Sequence, residues 1–116
     1  MSAMRILMVE DQADLLAIIS DALASLGHEV HTANHGVEAL ELLRGDLRFT
    51  HMISDVSMPE GISGIDLAGH AARLQPQARV LLVSGYAKAQ LQDLPEGIRF
   101  LPKPYRIGQL LQALEG

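Results

Sequence analysis

The chain has no cysteine, which excludes disulfides, thiolate nucleophiles and cysteine-ligated metals, and leaves the redox compartment open. It has no tryptophan and only two phenylalanines and two tyrosines, too few for an aromatic platform on which nucleic-acid bases stack. It has no basic excess. The net charge is −5, whereas a nucleic-acid binder presents a basic face, and a helix-turn-helix module would not fit in the remaining length. No run approaches the roughly 18 apolar residues of a membrane span, and no basic-then-apolar leader precedes the first strand. A single soluble, cytoplasmic domain over residues 1–116 is therefore expected. With 48% hydrophobic residues, that length buries a core without disulfide or metal staples.

What is present alternates. Met4–Val9, Glu29–Ala33, Ala78–Val83 and Arg99–Leu101 read as short strands, and so does the run through Met52 and Ile53 that ends at Asp55. The most apolar of them imply a parallel sheet buried on both faces. Between them lie helical patterns. Leu16, Ile19, Leu23 and Leu26 mark a helix over about Gln12 to Leu26, stopped by Gly27. Val37, Leu40 and Leu43 mark a second, ending near Arg44. Ser63-Gly-Ile-Asp66 has the form of a capping box opening a third, which runs to about Leu74 before Pro76. Ala87–Leu94 reads as a short fourth helix cut off by Pro95 and Gly97, and Ile107, Leu110, Leu111 and Leu114 mark the last. Five βα units predict an α/β doubly wound (βα)5 fold with right-handed crossovers.

The strand ends carry the chemistry. Strand one ends at Glu10-Asp11, strand three at Asp55, strand four at Ser84 and strand five near Lys103. Parallel strands bring these ends to one edge, and a strand order of 2-1-3-4-5 would set Glu10 and Asp11 beside Asp55 at the switch point. Close carboxylates raise one another's pKa, and a divalent cation removes that penalty. Hard oxygen ligands suit Mg²⁺ or Mn²⁺. A carboxylate is also a competent nucleophile toward phosphoryl groups, a reaction that mainly needs positioning and charge neutralisation. Taken singly, the same residues have plainer explanations. Asp55 could hydrogen-bond loop amides, Glu10-Asp11 could favour a helix N-terminus, and Phe100 could be core. His28, His31 and His35 have a spacing that would suit zinc on a helix, but they fall on a strand and turn, which argues against a metal site there.

In order and spacing, Val9-Glu10-Asp11, Asp55 with Met58-Pro59, Ser63-Gly64, Ser84-Gly85-Tyr86 and Phe100-Leu-Pro-Lys103-Pro104 resemble the receiver domain of bacterial two-component response regulators. The resemblance implies a flavodoxin-like fold. It implies Asp55 as phosphoacceptor, with Glu10, Asp11, Asp55 and the Ser57 backbone carbonyl holding the metal, and Lys103 pairing with phosphoryl oxygens. Ser84 and Phe100 become the switch pair, and the Lys103–Pro104 bond is expected to be cis. A sensor histidine kinase or histidine phosphotransfer protein is the implied partner, with no direct DNA binding. The domain would catalyse only its own phosphorylation and dephosphorylation. Glu10, Ser84 and Phe100 stand where Asp, Thr and Tyr are commoner, and the loop Met58–Gly64 is one residue longer than usual. The short stretch from Ser84 to Lys103 looks more like receivers attached to hybrid sensor kinases. Two other functions compete. A pseudo-receiver, an interaction module without phosphorylation, would show no Mg²⁺-dependent response to beryllofluoride. A phosphatase of the Asp-x-Asp type would want an acid where Ser57 stands.

Overall fold

The computed structural model describes residues 3–57, 61–85 and 97–115. In chain order the elements are β1 (Arg5–Val9), α1 (Ala13–Ser25), β2 (Glu29–Ala33), α2 (Gly36–Arg44), β3 (His51–Asp55), α3 (Gly64–Leu74), β4 (Arg79–Ser84), β5 (Arg99–Pro102) and α4 (Ile107–Glu115). The five strands form one sheet in the order β2-β1-β3-β4-β5, with every pair parallel. The expected doubly wound order is therefore present. The short helix expected over Ala87–Leu94 lies outside the described residues. No helix among the described residues is long and apolar enough to cross a membrane.

The sheet is apolar on both faces because successive side chains of a strand point to opposite sides. Leu7, Val9, Met52, Val80 and Leu82 pack under Ala39, Leu40 and Leu43 of α2 and Leu67, Ala68 and Ala71 of α3. Ile6, Met8, Ile53, Leu81 and Val83 pack under Leu16, Ile19 and Leu23 of α1 and Leu110 and Leu114 of α4. Residues one apart in a strand thus belong to different cores, which is why the strands lack a polar alternation.

Two expected stripe positions differ. Leu26 lies past the end of α1 and is 54% exposed. Its amide donates to the Leu23 carbonyl, and Gly27, at φ 94°, turns the chain away before another apolar contact forms. Val37 is 47% exposed, because the buried stripe of α2 starts one residue earlier, at Gly36. Ile62 lies so close there that a Cβ on Gly36 would stand 2.7 Å from its Cβ.

Two buried polar side chains hold segments that periodicity does not reveal. Gln75, just past α3, accepts from the Phe49 amide at 2.8 Å and donates to the carbonyls of Leu43 and Leu47 at 3.0 and 2.8 Å. It thereby fixes the α2–β3 connection to the end of α3. His51 starts β3 and reaches α4, where Nε2 lies 3.0 Å from the Leu114 carbonyl. A carbonyl only accepts, so Nε2 carries the proton and the ring satisfies a last-turn oxygen that the helix itself cannot. Burial holds the His51 pKa below its usual value. His28, His31 and His35, whose spacing raised the zinc reading, do separate jobs. His28 Nδ1 accepts from the Met4 amide, His31 pairs with Glu29, and His35 caps α2 by accepting from the Glu38 amide.

Replacing Gln75 with alanine would strand one amide and two carbonyls in the core. A loss of about 3 kcal/mol is expected in chemical denaturation. For His51, depression of the folded-state pKa means the unfolded chain binds the proton more readily. The contribution of His51 is then complete above about pH 6.5 and is lost as pH falls below it, down to the folded-state value. Denaturation midpoints measured from pH 7 to 5 should carry this slope, and His51→Gln should flatten it.

Candidate functional site

The α1/α4 face of the sheet continues past the strand ends into a charged cluster. Met8 and Ile53 are core residues, and two positions on, by the same alternation, stand Glu10 and Asp55. Leu101 packs against that core, and two positions on stands Lys103. Parallel register extends Val9↔Ser54 to Glu10 beside Asp55. The side chains meet as this placement implies. Lys103 Nζ lies 2.5 Å from Asp55 Oδ2 and 3.3 Å from Glu10 Oε1. Asp11 is exposed beside them, and one carboxylate oxygen from each of Glu10, Asp11 and Asp55 falls within 4.8 Å of the others.

Each group is oriented by backbone. The Glu10 amide donates to the Ala33 carbonyl, which ties the end of β1 to β2. Glu10 is fully buried, and its Oε2 accepts from the Gln12 amide at 3.1 Å. Asp55 is 7% exposed, and its Oδ1 accepts from the Ser57 amide at 3.1 Å. Lys103 is delivered by the backbone of β4, since its amide donates to the Ser84 carbonyl at 2.8 Å. The Lys103–Pro104 peptide is cis, as the resemblance implied.

Burial, more than mutual repulsion, raises the Glu10 pKa. The Gln12 amide and Lys103 pull it down, while Asp11 and Asp55 push it further up. The expected carboxylate repulsion is present but secondary. Burial also disfavours the Lys103 ammonium, but the hydrogen bond to Asp55 and the charges of Asp55 and Glu10 outweigh it and hold its pKa above the ordinary value.

Ser84 is buried at the end of β4, one residue beyond Val83, the register partner of Asp55. Phe100 is half-buried in β5 opposite Leu82, two residues before Pro102, the partner of Ser84. Ser57 lies in the turn just past Asp55. Met58-Pro59, quoted for the resemblance, lies outside the described residues.

Gly64 is more tightly constrained than a motif position suggests. It opens α3 after Ser63, whose hydroxyl accepts from the Asp66 amide at 3.1 Å, and its own amide donates to the Val56 carbonyl. A Cβ on Gly64 would stand 2.1 Å from the Asp55 carbonyl oxygen and 2.9 Å from Val56 Cα. Helix α3 therefore starts directly against the backbone of Asp55, and only glycine permits that approach.

The family model of the response regulator receiver domain matches residues 6–115. The chain belongs to the response regulator receiver domain family. Response regulator receiver protein CpdR of Brucella abortus (strain 2308) is 31% identical over 114 residues, covering 96% of this chain and 93% of CpdR. Sensor kinase CckA of the same strain is 38% identical over 111 residues, covering 90% of this chain but 11% of the kinase. Among solved structures, the receiver domain of the hybrid histidine kinase CckA superposes with a TM-score of 0.81 at 35% identity, covering 96% of this chain and 95% of that one. Response regulator protein TrrA of Thermotoga maritima, in complex with Mg²⁺-BeF, superposes with a TM-score of 0.82 at 26% identity, covering 96% of each chain. The receiver is thus a signalling domain of two-component phosphorelays rather than a conventional enzyme.

The contact between Gly64 and Asp55 can be checked by overpacking it. Gly64→Ala should cost about 1–3 kcal/mol in denaturation. Because the clash is with the Asp55 carbonyl, the largest amide chemical-shift changes should fall on Asp55 to Ser57 rather than along α3.

Proposed function

We propose that Asp55 is the phosphoacceptor of this receiver, taking a phosphoryl group from the phosphohistidine of a sensor histidine kinase or a histidine phosphotransfer protein. The observation that carries the proposal is the Lys103 ammonium, set between Asp55 Oδ2 and Glu10 Oε1, two members of a cluster of three carboxylates. One ammonium against three carboxylates leaves a net negative pocket that repels a phosphoryl donor. The donor atoms are all oxygen and suit Mg²⁺ or Mn²⁺. Glu10, Asp11, Asp55 and the Ser57 backbone carbonyl would hold the ion, which supplies charge neutralisation for the incoming group. That TrrA was solved with Mg²⁺-BeF supports this choice of metal.

The residues divide the remaining work. An Asp55 carboxylate oxygen attacks phosphorus, the new O–P bond forms as the donor's N–P bond breaks, and the imidazole leaves with the electron pair. The Ser57 amide, already on Oδ1, fixes the carboxylate's orientation. Lys103 moves its contact from the carboxylate to the phosphoryl oxygens. The Ser84 hydroxyl closes on the same oxygens, and Phe100, two register positions back on β5, follows into the space that this motion changes. Hydrolysis of the acyl phosphate by water resets the switch. The net negative charge of the chain argues against direct DNA contact, and a cytoplasmic setting fits a kinase partner.

The test is phosphoryl uptake from acetyl phosphate followed by intact-protein mass. The wild-type chain with Mg²⁺ should gain one phosphoryl group, while Asp55→Asn, or removal of the metal with a chelator, should reduce uptake to background. A labelled Asp55→Asn protein would overturn the assignment.

A further inference from the structure

Among the described residues, two buried side-chain polar atoms have no hydrogen-bond partner, the hydroxyls of Ser20 and Tyr105. They differ in kind. The Ser20 hydroxyl lies on α1, where rotation about one bond is enough to bring a serine hydroxyl within reach of a preceding helical carbonyl. The Tyr105 hydroxyl is fixed by a rigid ring packed against the α1/α4 core. A buried hydroxyl left unpaired costs about 1–3 kcal/mol, and phenylalanine would fill the same volume without that cost. Its presence therefore calls for a partner, and no protein group supplies one in this arrangement.

The surroundings narrow the choice. Tyr105 lines a cavity of about 220 Å³ with Gln12, Leu15, Ile19, Lys103 and Pro104. Most of that lining is apolar, and its polar end is the Lys103 side of the charged cluster. Burial raises the Tyr105 pKa and the Glu10 charge raises it further, ahead of the smaller influences of Lys103 and Asp55. Gln12 and Lys103, which line the cavity with Tyr105, are also the two residues that donate to Glu10, so Glu10 is the buried carboxylate beside it. Glu10 is fully buried and has two known donors, the Gln12 amide and Lys103. If Asp55 is the phosphoacceptor, as proposed above, Lys103 leaves Glu10 whenever a phosphoryl group arrives, and one buried carboxylate oxygen loses its donor.

We infer that Tyr105 is a positioning residue for this site: its hydroxyl donates to Glu10, directly or through one water, in the state in which Lys103 has moved to the phosphoryl oxygens. It keeps the buried carboxylate aimed at the metal without touching the reacting atoms. The inference rests on the phosphoacceptor proposal, and the two fail differently.

The experiment is calorimetric titration of the purified chain with Mg²⁺ alone and with Mg²⁺ plus beryllofluoride, a phosphoryl mimic. Tyr105→Phe should weaken Mg²⁺-beryllofluoride binding about tenfold, the lower end of what loss of a ligand-orienting partner does. Binding of Mg²⁺ alone should change less than about threefold, and the thermal midpoint of the metal-free protein should hold or rise. In a Glu10→Met background, which removes the acceptor at similar volume, the same substitution should have no further effect. Equal affinities for wild type and Tyr105→Phe, equal losses with and without beryllofluoride, or a loss that persists in the Glu10→Met background would each overturn the inference. A wild-type chain that binds no Mg²⁺-beryllofluoride would overturn the phosphoacceptor proposal itself, and this inference with it.

Discussion

One ammonium group holds the functional edge together. Glu10 is fully buried and Asp55 nearly so, and both face Lys103 across 3.3 and 2.5 Å. Charges removed from water persist only where an opposite charge and hydrogen bonds replace the lost hydration. Lys103 supplies the charge, and the Gln12 and Ser57 amides supply the remaining hydrogen bonds. The arrangement is poor as a stabilising device, since apolar residues of similar size would cost less to bury. It makes sense as a poised one. In the proposed reaction a phosphoryl group would draw the lysine from these carboxylates, while its own backbone is bonded to the Ser84 carbonyl.

That edge exists because the sheet is parallel and covered on both faces. Parallel strands force the chain to cross back over the sheet each time, so every strand ends on the same side. The alternation that sorts Met8 and Ile53 into the α1/α4 core continues two residues on to Glu10 and Asp55. The charged cluster is the top row of a column whose lower rows are hydrophobic. Displacing Ile53 or Met8 would therefore move the acids as well, which links core packing to site geometry without any further element.

This logic explains why so much was legible beforehand. Short apolar runs ending in acids, a hydroxyl and a lysine identify both the strands and the rim. Ser63 three residues before Asp66 marks the start of α3, where the hydroxyl does accept from the Asp66 amide. What stayed hidden are contacts between positions far apart in the chain. Gln75 looks like a polar residue before a proline, yet it is 3% exposed and joins three backbone groups from another connection. His51 looks like a strand's polar margin, yet it reaches Leu114, 63 residues away. Val37 was expected on the buried stripe of α2 with Leu40 and Leu43, but only those two lie on it, and in the first turn Gly36 is buried instead, close against Ile62. Periodicity reports which face is apolar; it does not report what a polar side chain finds when the chain closes around it.

The position of α3 follows from the same closeness. Its first residue has no side chain because the Asp55 carbonyl occupies the space where a Cβ would go. The Gly64 amide then bonds the Val56 carbonyl, and Val56 in turn donates to Val83 on β4. The backbone that carries the Asp55 carboxylate is thus held between a helix start and the neighbouring strand. In the proposed reaction, a nucleophile so held would not need to move. Motion would fall to the groups around it, to Lys103 on its long side chain and to Ser84 at the end of β4. On that proposal, chemistry at Asp55 would be read out by neighbours that shift while it stays in place, which is what a switch built on charge requires.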